Sequence, residues 1–327
     1  MTANDTLKEI GQQFMNAESI LLFPHENADG DALGSCTALC KALRMKGKDA
    51  YVLIEGDMAE FLKFLDRGYC SRDLDVIKDP DICACIDCGD VDRFKERKEK
   101  FFSGKTKICI DHHVTSEPEV DYRYIDGGAA ATGEIIFKLF KEMNIEPDQE
   151  MAEALFAAIT TDTGNFQYSN TTKESHLITG ELYDAGIDAN KVSVEIYETV
   201  RPERIRLQAL VLSGMEIFAG GEAAVACVTQ KMLKDTGTTM DETEGIASTL
   251  RSVKGVQIAA FLKEKETGEI KVSLRAKRKG DVSKIGAAHG GGGHVKAAGC
   301  SLYCSLEEAR KIIKEEIEES LREAEQN

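Results

Sequence analysis

Between Pro24 and Asp31 the chain reads Pro-His-Glu-Asn-Ala-Asp-Gly-Asp, placing one imidazole, His25, and two carboxylates, Asp29 and Asp31, on a glycine-containing turn. A second acidic turn holds Asp87 and Asp90 around Gly89, and a third site reads Asp111-His112-His113. Asp162 stands in Thr160-Thr161-Asp162-Thr163-Gly164, which alone reads equally well as the end of a helix. Four Asp and two His together are what two adjacent hard or borderline divalent ions need. Oxygen and imidazole donors favour Mn²⁺ or Mg²⁺ over a thiolate-preferring metal. Two such ions, ~3.5–4 Å apart, clamp a phosphoryl group and generate a hydroxide nucleophile, so phosphoester hydrolysis is the natural reaction. Five of the six histidines lie beside Asp or Gly clusters; His176 lies elsewhere and reads as structural.

The elements that must position these residues follow from the apolar pattern. Ser19–Phe23, Tyr51–Ile54, Ile82–Ile86 and Lys107–Ile110 read as strands, with an amphipathic helix over Ala32–Lys46 stopped by Gly47. Such alternation implies an α/β fold, a mostly parallel sheet covered by helices. Asp and His then fall at the carboxyl ends of the strands, where open parallel sheets collect ligands. Helices follow over Thr132–Met143, Gln149–Thr161, Lys173–Ala185 and Arg204–Phe218. From Glu222 a smaller α/β domain begins, with a strand at Ala223–Thr229, a helix at Glu242–Ser252 and a hairpin of Val256–Lys263 and Ile270–Ala276. A final helix spans Ser305–Glu325. The expected division is a catalytic domain, 1–195, a helical linker, 196–221, and a substrate-binding domain, 222–327, with the catalytic cleft between the two domains.

Composition narrows the partners. The 327 residues carry 41 Lys plus Arg against 57 Asp plus Glu, a net charge of −16, which argues against a cationic surface for duplex DNA. No stretch reaches a membrane span and the start lacks a signal-peptide core, so a cytoplasmic protein with reduced thiols is expected. Cys85 and Cys88 form a CxxC, but with Cys83 they adjoin an apolar strand and read as core; Cys300 and Cys304 read the same way. Local positive charge appears between Lys263 and Lys284, where eight Lys or Arg face four acids, and Arg275 is singled out within a strand. Gly290–Gly293, followed by His294, allow backbone N–H groups to crowd an anion, and Ala297, Ala298 and Gly299 suit a closely packed helix start.

Together, His25–Ala32, Asp87, Asp111-His112-His113 and Asp162 resemble the four motifs of the DHH phosphoesterase family, over essentially the whole chain. Ala28 stands where many members have proline, at a position that binds no metal. The resemblance implies one ion held by His25, Asp29 and Asp87 and a second held by Asp31, Asp87, His112 and Asp162, with Asp87 bridging. It leaves His113 to contact the phosphate or protonate the leaving oxygen. The glycine run resembles the DHH-associated substrate domain, implying substrate contacts from Arg275, His289, Gly291, Gly292, Gly293 and His294. The nanoRNase type, which degrades short RNA oligonucleotides and dephosphorylates 3′-phosphoadenosine 5′-phosphate with Mn²⁺, is the most similar branch. Phosphodiesterases of linear or cyclic signalling dinucleotides are the alternative, and inorganic pyrophosphatase or a silent nucleotide sensor fits less well. A homodimer is the assembly frequent in the family, although no interface is evident in the sequence.

Overall fold

A computed structural model of the chain describes residues 4–113, 116 and 118–326. It divides into two units, Met1–Thr199 and Val200–Asn327, each with its own six-stranded sheet. In the first unit the strands are β1 (Ser19–Phe23), β2 (Asp49–Leu53), β3 (Cys70–Ser71), β4 (Ile82–Ile86), β5 (Thr106–Asp111) and β6 (Tyr122–Ile125). They lie in the order β3-β2-β1-β4-β5-β6 and every neighbouring pair is parallel. β4 is buried at all its positions, as a central strand covered on both faces must be. One face joins Ile20, Leu22, Ala84 and Ile110 to the main core, whereas Leu21, Phe23, Cys83 and Cys85 pack on the other with Phe94 and Phe101. Cys85 and Cys88 are therefore core packing, and all ten cysteines are free thiols.

The helices of this unit are α1 (Leu7–Asn16), α2 (Gly30–Met45), α3 (Lys98–Phe102), α4 (Thr132–Glu142), α5 (Gln149–Asp162), α6 (Lys173–Asp184) and α7 (Ala189–Ser193). The chain leaves β1 through α2 to β2 on one side, and later enters β4 on the other, so the carboxyl ends of β1 and β4 flank a topological switch point. Helices α2 and α5 pack unusually closely. A Cβ on Gly34 would meet the carbonyl oxygen of Ala154 at 2.4 Å, and one on Gly30 would meet Thr161 at 2.5 Å. This approach sets the first turn of α2 beside the last turn of α5.

The second unit contains α8 (Pro202–Ser213), β7 (Glu216–Phe218), β8 (Ala223–Val228), α9 (Gln230–Thr236), α10 (Ile246–Ser252), β9 (Ile258–Glu264), β10 (Ile270–Ala276), α11 (Val282–Ala288), β11 (Gly292–His294), β12 (Ala297–Leu302) and α12 (Leu306–Gln326). Its sheet order is β11-β12-β10-β9-β8-β7, antiparallel except where β8 meets β9. Strand β10 alternates cleanly. Ile270, Val272, Leu274 and Ala276 enter the core that includes Ile313 and Ile317 of α12, leaving Lys271, Ser273 and Arg275 for the opposite face.

Three expectations are corrected here. The helix expected to run to Phe218 ends at Ser213, because Glu216–Phe218 pairs with β8 as an edge strand. Of the expected helical linker, 196–221, helix α8 is built into the second unit, since its Leu207 and Val211 are buried in that unit's core. Ala297-Ala298-Gly299 begins a strand rather than a helix. A Cβ on Gly291 would lie 2.1 Å from the Gly299 carbonyl oxygen, so backbone approach, not helix packing, demands the small residue.

Because Gly34 lies against backbone, which gives less readily than a side-chain tip, Gly34→Ala is expected to destabilise the protein by about 1–3 kcal/mol. Separating α2 from α5 should also weaken divalent-ion binding. Calorimetric unfolding and Mn²⁺ titration of the variant check both effects.

Candidate metal centre

Each functional side chain is placed by the end of an element. His25 follows β1, Asp29 is the N-cap of α2, Asp31 sits in that helix's first turn, and Asp162 is the last residue of α5. Asp29 Oδ1 accepts from the Asp31 and Ala32 N–H groups at 3.1 Å each, a capping arrangement that leaves Oδ2 toward His25. Asp87 immediately follows β4 with φ 58°, a left-handed conformation uncommon outside glycine, and its N–H donates to the Ile110 carbonyl at 2.9 Å. Asp111 closes β5, and His112 and His113 follow it.

The structure brings the expected ligands together. His25 Nε2 lies 3.7 Å from Asp29 Oδ2 and 3.8 Å from Asp87 Oδ2. His112 Nε2 lies 3.3 Å from Asp162 Oδ2, 3.6 Å from Asp87 Oδ1 and 3.8 Å from Asp31 Oδ2. Donor atoms converge within 4.8 Å in three groups: His25-Asp29-Asp87, Asp31-His112-Asp162 and Asp87-His112-His113. Asp87 thus presents one oxygen to His25 and the other to His112.

This packing is electrostatically unfavourable without a cation. Burial, then the charges of Asp31, Asp29, Asp111 and Asp162, pushes the Asp87 carboxyl well above its ordinary range. Burial and neighbouring carboxylates do the same to Asp162. Burial, with a contribution from Asp29, raises Asp31 to about 6 although His112 opposes the shift. Asp29 goes the other way: against desolvation, its contact with His25 holds it at about 2. Buried carboxylates crowded around two neutral-capable imidazoles are a donor set that fits divalent cations.

Several supporting residues carry no signal in the sequence. The Thr132 and Gly133 N–H groups at the start of α4 donate to Asp31 at 2.7 and 2.9 Å, and Thr132 Oγ1 donates to Asp87 Oδ1 at 2.8 Å. Ser35 Oγ adds a bond to Asp31 at 3.1 Å. His112 Nδ1 lies 3.3 Å from the Ala129 carbonyl, which leaves Nε2 for the carboxylates. Asp111 turns away from the ligand groups: its Oδ1 pairs with His113 Nδ1 at 2.7 Å, and its Oδ2 accepts from Ser116 Oγ. Of these supporting groups, Asp111 alone is marked in the sequence, by adjoining the two histidines.

In the second unit, Arg275 and His294 both stand opposite Ala297, on its two sides, so they share one row and one face of the sheet with a methyl group between them. The next same-face row carries Ser273, Gly299 and Gly292, a floor nearly free of side chains. Gly291 and Gly293 are needed by close approach of β11 to β12. His289 does not join this group; its Nε2 lies 2.8 Å from Glu316 Oε1 on α12. His176, outside both sites, stacks on Phe166 at 5.2 Å.

Residues 19–159 match the DHH family, N-terminal domain, and residues 220–319 match the DHHA1 domain. The chain is 30% identical over 304 residues to the bifunctional oligoribonuclease and PAP phosphatase NrnA of Thermus thermophilus, covering 92% of this chain and 90% of that protein. The protein of the same name from Bacillus subtilis is 27% identical over 299 residues, covering 90% and 93%. An exopolyphosphatase-related protein from Bacteroides fragilis has a TM-score of 0.90 at 27% identity, with 97% of each chain covered. RecJ of Thermus thermophilus with Mn²⁺ shares the fold at a TM-score of 0.58 and 15% identity, covering 97% of this chain and 55% of that one. With matching order, coverage and a convergent Asp/His centre, the chain belongs to the DHH family of metal-dependent phosphoesterases.

Proposed function

We propose that this protein hydrolyses short oligoribonucleotides to mononucleotides and removes phosphate from 3′-phosphoadenosine 5′-phosphate, using two divalent ions, preferentially Mn²⁺. The observation that carries this reading is the convergence of His25, Asp29, Asp31, His112 and Asp162 around Asp87, in a chain similar over nine-tenths of its length to the NrnA proteins.

His25, Asp29 and Asp87 would hold one ion, and Asp31, His112 and Asp162 the other, with Asp87 shared between them. When bound, such ions lower the pKa of a water and offset charge on phosphoryl oxygens. Thr132 and the α4 N-terminus orient Asp31 and Asp87 by donating to them. His113 is the proton carrier of the site. The hydrogen bond that its Nδ1–H donates to Asp111 raises its pKa against the opposing effect of burial, and that bond occupies Nδ1, leaving Nε2 to donate to a phosphate or leaving oxygen. Arg275, His294 and the backbone of Gly291–Gly293 bind a substrate phosphate, while His289, engaged by Glu316, serves the fold.

Incubation with Mn²⁺ and a 5′-phosphorylated diribonucleotide, 3′-phosphoadenosine 5′-phosphate, pyrophosphate or a 20-nucleotide single-stranded DNA tests the assignment directly. Turnover of the first two, abolished in Asp87→Ala, is expected; dominant hydrolysis of pyrophosphate or long DNA contradicts it.

His113→Asn is expected to lower kcat by about 10²–10⁴-fold. Asp111→Asn removes the charge that raises the His113 pKa, so the loss of activity on the alkaline side should move to lower pH. A pH–kcat profile that keeps its alkaline limb in Asp111→Asn rules out the proposed proton role.

A further inference from the structure

The sheet face that carries Arg275 and His294 continues into a second cationic row. Lys263 of β9 stands directly opposite Lys271 of β10, which in turn stands opposite Ser301 of β12. Directly opposed like charges weaken an antiparallel pair, so this placement costs the unliganded sheet stability. Lys265 lies on the same face, two residues beyond Lys263. Burial first, then the charges of Lys265, Arg275 and Lys271, lowers the Lys263 ammonium below the ordinary lysine range, with Glu244 opposing.

The row opens on a cavity of about 1030 Å³ that Lys271, Lys265 and Lys234 line together with Thr238 and Thr239. Two acids, Glu266 and Glu269, also line it, against three lysines, and Glu269 accepts from Ser301 Oγ at 2.5 Å. Among the described residues, none of Lys234, Lys263, Lys265 and Lys271 lies within 4.0 Å of a carboxylate oxygen. Elsewhere the acidic surface pairs many of its lysines, as at Lys279–Glu222 and Lys284–Glu323. Unpaired cations gathered at a cavity in a chain of net charge −16 call for an anionic ligand.

Resting on the functional reading above, we propose that Lys263, Lys265 and Lys271 form a second phosphate subsite for the backbone of an oligoribonucleotide. Arg275 and Lys271 are four residues apart on one strand, roughly 13 Å. That backbone separation exceeds the span between the two phosphates carried by one ribose, so 3′-phosphoadenosine 5′-phosphate matches the pair of positions less well than an oligoribonucleotide does. An RNA of three or four nucleotides can span both. The subsite therefore favours longer substrates.

The test is a Lys263→Met/Lys271→Met double variant, assayed with a 5′-phosphorylated tetraribonucleotide and with 3′-phosphoadenosine 5′-phosphate across a KCl series. KM for the tetramer is expected to rise about tenfold, as for removal of one or two charge-assisted hydrogen bonds, with kcat and all constants for the mononucleotide substrate within about twofold. The slope of log(kcat/KM) against log[KCl] for the tetramer should shrink by about 0.7 for each phosphate that is no longer neutralised. Lys271→Arg should retain the wild-type slope, which separates charge from packing. Equal losses on both substrates, or no loss on either, overturn the subsite while leaving the functional reading intact. Wild-type protein that cleaves neither substrate overturns that reading and the subsite with it. If the double variant fails to fold, Lys271→Met alone carries the same comparison.

Discussion

Asp87 has carboxylate neighbours and imidazoles on both of its oxygens, and the remainder of the first unit is organised around keeping it there. A buried carboxylate among four others is unstable as an anion in the absence of cations. The fold answers with partial charges rather than with Lys or Arg. Backbone N–H groups at the starts of α2 and α4 donate to Asp29 and Asp31, and the Thr132 hydroxyl donates to Asp87. These donors orient the carboxylates without neutralising them, so the demand for divalent ions is preserved. A lysine in the same place would satisfy the charge and remove the site's reason to bind metal.

That arrangement depends on topology. The order reversal between β1 and β4 opens the sheet edge where His25 and Asp87 emerge, and β5 delivers Asp111-His112-His113 one strand further on. The close α2–α5 packing at Gly34 and Gly30 then supplies Asp31 and Asp162 from above the same edge. Each ligand is therefore fixed by an element end, and the left-handed backbone at Asp87 is the local strain accepted in turning the chain there.

His25, Asp87 and His112 are legible as candidate ligands in the sequence because strand ends are. An apolar run such as Ile82–Ile86 that stops at Asp87 announces both the strand and the place where its polar residue emerges. Thr132 and Gly133 carry no such signal: they reach Asp31 from 101 and 102 residues away, and only the packed fold brings them together. Ala297, Ala298 and Gly299 suggest a helix start because small residues suit either close helix packing or close strand packing, and periodicity cannot separate the two over so short a stretch. His289 looks equivalent to His294 by its position beside the glycines, yet pairing with Glu316 on α12 takes it out of the group. Helix α8 departs from its expected role for a similar reason, since a contiguous amphipathic segment does not reveal which core receives Leu207 and Val211.

Divalent ions held at this site would relieve the repulsion among these carboxylates, and thermal unfolding of wild type and Asp87→Asn, each in EDTA and in Mn²⁺, puts that relief to its sharpest test. In EDTA the Asn variant, which keeps the Thr132 bond but loses a charge, should melt at or above the wild-type temperature, while Mn²⁺ should raise the midpoint of wild type far more than that of the variant. A variant that is less stable than wild type in EDTA and gains as much from Mn²⁺ would contradict it.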